Sequence, residues 1–234
     1  MNEYRNGIRS GKTKTRQMDE IGNGSYRLSL RAGSKVIFID KEALKIADIL
    51  RGGEKDCEQA ARNTIREQSI QLLLYLGNKG SWDISLCGDQ IKPLLDDEKK
   101  GVEADVYLWN DNGVYKVIKV TMWWVRHQTP LDFIEYKILA HNVIFFETPY
   151  KLIGIQFVNG EYLFVLEQTY VRSMEDVYSN QQEIDTDMEK RGFKKFGSSY
   201  NSKNYIISDL NSKNVLKGID NELYYIDPII YPKI

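Results

Sequence analysis

The stretch YIISDLNSKNVLKGIDNELYYIDPII, at residues 205–230, places two aspartates shortly behind apolar runs. Asp209 follows Tyr-Ile-Ile, and Asp227 follows Leu-Tyr-Tyr-Ile, with the turn-forming sequence Gly-Ile-Asp-Asn between them. Apolar segments on both sides of such a cluster are typical of a β-hairpin. The pattern therefore predicts an acid at the end of one short strand, Asn214 on the loop that follows, and a second acid at the end of a hairpin strand.

Asp209, Asn214 and Asp227 together carry oxygen atoms of the kind that a hard divalent cation prefers. Such cations bind carboxylate and amide oxygens and bridge to phosphate groups. An aspartate can also orient a hydroxyl for phosphoryl transfer. The alternative is that both aspartates only cap turns, as aspartate often does. Their joint spacing favours a site for metal and phosphate chemistry.

The same stretch resembles the catalytic loop and metal-binding segment of the protein kinase superfamily, through DLNSKN at residues 209–214 and DPI at residues 227–229. More narrowly, it resembles the kinase-like domain of phage and mobile-element polyvalent proteins, which pair an isDL…NVL segment with a yyIDP ending. The resemblance covers roughly residues 60–234. Three further stretches fit that family: VIKVT at 117–121, TPLDFIEYKILAHNVIFFETPYKLIGI at 129–155 and FVLEQTYV at 164–171.

The resemblance implies that the chain uses ATP and Mg²⁺. Asp209 would then accept or orient the proton of the substrate hydroxyl, and Asn214 and Asp227 would bind Mg²⁺.

Lys119 is the candidate lysine for the phosphates of ATP. In a strand, Val117 and Lys119 point to the same face. An apolar side chain would thus lie beside adenine and an ammonium beside the phosphates, as in the V-A-I-K motif of protein kinases. Lys116 is the alternative, but Lys119 lies six positions after Gly113, a separation that resembles kinase hairpins. A solvated lysine on an exposed strand face is the remaining possibility.

A helix is predicted from Pro130 to about His141, with the preceding threonine as its cap. This helix is expected to supply the acid that positions Lys119. We choose Glu135 for that role over Asp132, which lies three residues earlier near the same face. A solvated helical glutamate is the alternative.

The nucleotide is expected to lie between a glycine loop and a hinge. GVEADVY at residues 101–107 occupies the place of the glycine loop and resembles the G-x-E-A-x-V-Y of RIO-type atypical kinases. Gly101 would let backbone N–H groups approach a phosphate, and Val106 would pack over the base. Glu167 and Gln168 follow the strand YLFVL, where a kinase hinge lies. Their backbone groups and those of the next residue would bind adenine.

The composition is that of an ordinary globular protein, with 42% hydrophobic and 28% charged residues over 234 positions. A net charge of −1 gives no strong signal for nucleic-acid binding. Two cysteines cannot form a disulfide framework, and no apolar run approaches the ~18–20 residues needed to span a bilayer. The polar N-terminal stretch lacks the apolar core of a signal peptide. We therefore expect a cytoplasmic protein without a membrane partner.

The order of segments predicts an α+β fold of the minimal, two-lobed kinase-like kind. Its N-lobe would be an antiparallel sheet with one main helix, and its C-lobe small, truncated and helical, with extra helices at the N-terminus. Asn-Gly pairs at residues 112–113 and 159–160 predict two hairpins. The expected parts are a flexible basic tail (1–25), a helical region (26–98), the N-lobe (99–168) and the C-lobe with the catalytic-loop and metal-binding segments (169–234).

Several positions depart from the protein kinase pattern. Ser208 stands where ordinary protein kinases have arginine, and Pro228 replaces the phenylalanine of D-F-G. Asn211 replaces a lysine or serine, which removes a positive charge from the region of the γ-phosphate. The sequence ends seven residues after Asp227, from which we expect no ordinary groove for a protein substrate.

Three functions are compatible with these patterns. The first is an ATP/Mg²⁺-dependent phosphotransferase that acts on an unknown hydroxyl acceptor. The second is a pseudokinase that serves as a nucleotide-binding or protein-interaction module of a mobile-element or phage system. The third is a small-molecule kinase, since phosphotransferases that act on antibiotics use similar acidic loops.

Overall fold

A computed structural model describes residues 17–21, 25–30, 35–51, 60–94 and 103–233. Gly101 and the basic stretch at residues 1–16 lie outside these ranges. The phosphate-binding role of Gly101 and the flexible tail therefore stay predictions for those residues.

Helices and antiparallel strands alternate along the described residues, which confirms the predicted α+β class. The helices are α1 (Lys41–Arg51), α2 (Ala60–Lys79), α3 (Pro130–Asp132, a π-helical stretch Phe133–Ala140, and His141–Ile144) and α4 (Gln181–Lys190), with a short 3₁₀ segment at Ile84–Gln90. The strands are β1 (Gln17–Ile21), β2 (Ser25–Leu30), β3 (Lys35–Ile39), β4 (Ile91–Pro93), β5 (Ala104–Asp111), β6 (Val114–Met122), β7 (Tyr150–Val158), β8 (Glu161–Thr169), β9 (Ser173–Tyr178), β10 (Lys194–Phe196), β11 (Ser199–Asn201), β12 (Tyr205–Ser208), β13 (Val215–Gly218), β14 (Leu223–Tyr225) and β15 (Ile229–Pro232).

The largest sheet has five antiparallel strands in the order β4-β5-β6-β8-β7. Both predicted hairpins are confirmed: Asn112 (φ 52°) and Gly113 (φ 91°) join β5 to β6, and Asn159 (φ 53°) and Gly160 (φ 86°) join β7 to β8. Positive φ at both central residues belongs to the type I′ turn, whose twist matches that of the flanking strands. The Lys119 strand, β6, is thereby fixed at the centre of the sheet.

Helix α3 covers one face of this sheet and begins where the sequence predicts. Thr129 accepts a hydrogen bond from the Asp132 N–H, the Asp132 carboxylate accepts one from the Thr129 N–H, and Pro130 starts the helix. Phe133 then stacks on Phe164 of β8, with ring centroids 4.8 Å apart. The cap and this buried ring pair set the position of α3 against the sheet.

The N-terminal helix α1 is tied to the same layer. Asp40 caps it by accepting hydrogen bonds from the N–H groups of Glu42 and Ala43, and its other carboxylate oxygen accepts one from the Leu152 N–H of β7. The buried side chains of α1, among them Ile46 and Leu50, belong to the same core cluster as α3 and β7.

Three predicted features of the chain are corrected and one is confirmed. Strand β1 lies within the predicted flexible tail, and β2 and β4 lie in the region predicted to be helical. The polar helix predicted within residues 173–195 is confirmed as α4. It follows strand β9, begins after Asn180, whose side chain accepts a hydrogen bond from the Glu183 N–H, and ends before Gly192 (φ 88°). The C-lobe, predicted to be helical, consists mainly of strands. These form two small sheets, β10-β11-β12-β15 and β14-β13-β9, around α4.

The two small sheets place the acidic segments side by side. Strands β12 and β15 pair antiparallel, with Ser208 opposite Ile229. Asp209 leaves β12 at the point where Asp227 and Pro228 enter β15. In the part of the chain that the structure describes, no helix is both long and apolar enough to cross a membrane.

Candidate functional site

Lys119 lies on the sheet face that α3 covers. Its register partners are Val106 on β5 and Leu166 on β8, and directly paired residues of antiparallel strands share a face. Val117 lies two positions earlier on the same face, whereas Lys116 lies three positions earlier and points to the opposite face. The Lys119 side chain is only 8% exposed. Of the two candidate lysines, Lys119 is thus the one that enters the cleft beneath the sheet.

Asp227 is the carboxylate that meets Lys119. The Lys119 Nζ lies 3.6 Å from the Asp227 Oδ1 and donates to the Ile226 carbonyl oxygen at 2.8 Å. Lys137, from α3, donates to the same Asp227 oxygen. The Tyr150 hydroxyl lies 2.6 Å from the Ile226 carbonyl oxygen and 3.2 Å from Oδ1. Side chains from β6, α3 and β7 therefore converge on the acid that precedes β15.

The electrostatics of this cluster follow from burial and from two neighbouring ammonium groups. Burial lowers the pKa of Lys119 to about 8, although Asp227 acts in the opposite direction. Burial by itself would raise the pKa of Asp227, but the charges of Lys119 and Lys137 outweigh it and hold that pKa well below its usual range. Near neutral pH the cluster therefore contains an ionised carboxylate and a charged Lys119.

Asp209 is held in place by two asparagine side chains. Its carboxylate accepts hydrogen bonds from Asn211 at 2.8 Å and from Asn214 at 2.8 Å. Its φ of 61° lies in the left-handed region, which aspartate, asparagine and glycine adopt most readily. The Ile226 N–H donates to the Asn214 carbonyl oxygen at 2.9 Å. The loop that carries Asp209 and Asn214 is thus joined directly to the segment that carries Asp227.

An open cleft lies between the sheet, α3 and the Asp227 segment. Arg126, from the connection between β6 and α3, pairs there with Glu103 at the start of β5. The lining residues are Glu103, Ala104, Lys119, Thr121, Met122, Arg126, His127, Phe133, Lys137, Leu166, Asp227, Pro228 and Ile229.

The donor set fits one Mg²⁺ that is shared with a phosphate ligand. The close contacts of Asp227 use Oδ1, and the hydrogen bonds that Asn214 donates to Asp209 use its amide nitrogen. The second carboxylate oxygen of Asp227 and the amide oxygen of Asn214 can therefore serve as hard ligands. Among the described residues, no group of three or more His, Cys, Asp or Glu could hold a metal by itself. This suits Mg²⁺, which is usually bound by one or two carboxylates together with substrate phosphates and water.

The predicted pair of Lys119 with Glu135 is wrong. Glu135 binds Arg51 of α1 instead, at 2.8 and 3.0 Å, and Asp132 is used in the helix cap. The physical reason is the rotation of α3, because two helical positions are about half a turn apart. Lys137 therefore faces the cleft while Glu135 faces α1.

The predicted hinge position is also corrected. Glu167 and Gln168 lie inside β8 and pair with β6 on one side and β7 on the other, so their backbone groups serve the sheet. The Gln168 side chain is buried and donates to the Thr148 carbonyl oxygen at 2.9 Å. Pairing with β7 ends at Gln168. Thr169, the last residue of β8, still pairs with Lys116 of β6 but lies beyond the pairing with β7.

Two cleft residues escaped the sequence prediction, Lys137 and Tyr150. Lys137 and Glu135 are the two charged residues of the stretch Phe133–Ala140. The sequence thus shows a lysine within an apolar helix, but it does not show which face of the helix carries it. Tyr150 is fully buried, with its backbone N–H and C=O bound by the Asn142 side chain at 2.7 Å each. One tyrosine among fifteen gives no such signal.

Replacing Glu135 by glutamine is expected to lower the free energy of unfolding by about 1 kcal/mol, since the change breaks a partly exposed ion pair with Arg51. Urea denaturation measures the loss, and a double-mutant cycle with Arg51→Met should assign it to this pair. A loss of nucleotide affinity with unchanged stability would instead return Glu135 to the role of partner to Lys119.

A family model described as a serine/threonine/tyrosine kinase found in polyvalent proteins matches residues 66–233. The match covers most of the chain, including α3, the five-stranded sheet and both acidic segments. It confirms the resemblance drawn from the sequence. No curated protein matches the chain.

Proposed function

The chain belongs to the family of serine/threonine/tyrosine kinases found in polyvalent proteins, and on this premise we propose that it is an ATP- and Mg²⁺-dependent phosphotransferase with a hydroxyl acceptor. The observation that carries the proposal is the 3.6 Å pair between Lys119 of the sheet and Asp227 of the C-terminal segment. It brings a lysine suited to bind phosphate and a carboxylate suited to bind a metal together from opposite sides of one cleft. Catalysis of phosphoryl transfer depends on this kind of positioning and on charge stabilisation.

Asp209 is the residue proposed to act on the acceptor. The acceptor oxygen attacks the γ-phosphorus of ATP, and the bond between that phosphorus and the β,γ-bridging oxygen breaks, with its electron pair leaving on ADP. The proton of the hydroxyl passes to the Asp209 carboxylate. Asn211 and Asn214 donate hydrogen bonds to that carboxylate, which would fix its direction toward the acceptor.

Lys119, Asn214 and Asp227 are proposed to hold the phosphates. Bound Mg²⁺ would neutralise the charge that develops on the phosphate oxygens. Asn214 and Asp227 would hold the ion through their oxygens, and Lys119 would bind the phosphate chain as an ammonium. The hydroxyl of Tyr150 and the carbonyl oxygen of Ile226 keep Lys119 directed to this point.

The adenine is proposed to lie against the outer part of the same sheet face. Val106 and Val117 share that face with Lys119, and they would contact the base. Backbone groups of residues 169–171 would bind the edge of adenine, in place of the residues 167–169 predicted from the sequence. Gly101 is proposed to approach the phosphates from the connection between β4 and β5.

The test is ATP binding with and without Mg²⁺, measured by titration calorimetry. Wild type is expected to bind about tenfold more tightly with Mg²⁺, and Asp227→Asn should lose most of this gain because one metal-binding carboxylate is gone. Glu189→Ala, on the exposed side of α4, is the control for a lost carboxylate elsewhere.

Each outcome of the titration points to a different function. No binding by wild type in either condition contradicts both enzyme hypotheses, the phosphotransferase with an unknown hydroxyl acceptor and the small-molecule kinase, and leaves an interaction module. Binding that Mg²⁺ does not strengthen favours a nucleotide-binding pseudokinase. The contact of Lys137 with Asp227 is the observation that favours the pseudokinase as a second candidate, since an ammonium there competes with a metal.

A further inference from the structure

We infer that Lys137 is a second phosphate-binding lysine, which moves from Asp227 to the terminal phosphates when a nucleoside triphosphate and its metal ion enter the cleft. The inference rests on the proposed function, because it assigns a further residue to the same nucleotide site. It concerns a residue that the sequence patterns did not single out.

Lys137 and Lys119 approach one carboxylate from two different elements. Lys119 comes from β6 and lies 3.6 Å from Oδ1 of Asp227, and Lys137 comes from α3 and donates to the same atom. The Lys137 side chain is 12% exposed, and its Nζ lies 5.5 Å from the ring centroid of Tyr150. A lysine carries its charge on a flexible four-carbon stem. Its ammonium can therefore move within the cleft while α3 stays in place.

The charges of this cluster do not balance. Two ammonium groups face one carboxylate, and in the part of the chain that the structure describes no second carboxylate lies within ion-pair distance of either lysine. Lys137 also contributes to lowering the pKa of His127, to about 4, and of His141, to about 3, although burial is the larger cause for both. The cleft therefore carries an excess positive charge, which an anion would offset.

A metal ion at Asp227 changes the partner of Lys137. A divalent cation beside two ammonium groups is repelled unless an anion enters with it. With the Asp227 oxygens bound to a metal, Lys137 would lose its carboxylate, and a largely buried charge without a partner is costly. The phosphate chain that arrives with the metal is the nearest anion. Lys137 is accordingly expected to bind it.

The catalytic loop supplies an independent reason. Asn211 stands where protein kinases have a lysine or serine, so this loop brings no ammonium to the terminal phosphate. Lys137 offers one from the opposite side of the cleft, on α3. The positive charge that the loop lacks would then come from another element.

The test compares the affinities of ATP and AMP for wild type, Lys137→Met, Lys137→Arg and Lys45→Met, each in Mg²⁺ and in EDTA. In Mg²⁺, Lys137→Met is expected to weaken the binding of ATP at least tenfold and that of AMP less than twofold, because AMP lacks the terminal phosphates. Lys137→Arg, which keeps the charge, should remain within threefold of wild type. Lys45, exposed on α1, is the matched control. Thermal denaturation checks that each variant is folded.

Two results overturn this inference without overturning the proposed function. If Lys137→Met binds ATP as tightly as wild type in both conditions, Lys137 does not contact phosphate, and the phosphotransferase proposal stands if Asp227→Asn still abolishes the Mg²⁺ effect. If the affinities for ATP and AMP fall by the same factor, Lys137 has a structural role in shaping the cleft. Failure of wild type to bind any nucleotide would instead overturn the proposed function, and this inference with it.

Discussion

Replacing Asp209 by asparagine is expected to lower kcat about a thousandfold while ATP affinity stays within about threefold of wild type. Asparagine keeps the size of the side chain and tolerates the left-handed backbone at this position. It cannot take up the hydroxyl proton, and its amide would meet the amide groups of Asn211 and Asn214 that now donate to Asp209. The loss should therefore appear in the chemical step rather than in nucleotide binding.

Steady-state release of ADP from ATP, with water as the acceptor, measures this effect without a known substrate. Asp220→Asn is the matched control, because Asp220 lies in the turn between β13 and β14 and its carboxylate binds the Tyr224 hydroxyl. Its rate should equal that of wild type. Equal rates for wild type and Asp209→Asn would show that Asp209 only shapes its loop.

The second large effect is expected for Lys119→Met, which should reduce kcat/KM for ATP by about 10²–10³. Lys119 is buried beside Asp227 and is the cationic group of β6 that enters the cleft. Methionine fills a similar length of side chain, and Asp227 keeps the ion pair with Lys137. The protein should therefore stay folded while it loses a charge that acts on the phosphates.

Lys116→Met is the control on the same strand. Lys116 lies on the opposite face, where it pairs with Asp111 at 3.0 Å and with Glu167 at 3.4 Å. Its removal should leave kcat/KM within about twofold of wild type and cost at most about 1 kcal/mol of stability. If Lys116→Met were the more damaging change, the assignment of the cleft lysine would be reversed.

The features that sequence predicted correctly depend on near neighbours along the chain. Asn112 and Gly113 form a turn because both tolerate positive φ, and Thr129 and Pro130 start α3 through a cap that spans three residues. Val117 and Lys119 share a face because strand periodicity fixes it. Such local rules needed no knowledge of the surrounding fold.

The features that sequence missed depend on contacts between distant elements. The choice between Glu135 and Lys137 is made by the rotation of α3 against the sheet, and Arg51, which takes Glu135, comes from a helix far away in the chain. The hinge was placed too early because β8 continues as long as β7 and β6 pair with it. Strands β10 and β11 have three residues each, which is too few to show a periodic pattern. The sequence therefore predicted only the strands before Asp209 and Asp227, within an otherwise helical C-lobe.

The left-handed backbone at Asp209 governs which substitutions this position can accept. Glutamate would carry the same charge, but it adopts the left-handed conformation less readily than aspartate, asparagine or glycine. Glycine would satisfy the backbone without any acid. The proposed chemistry and the backbone conformation thus make separate demands on one residue, and of the twenty amino acids aspartate alone meets both.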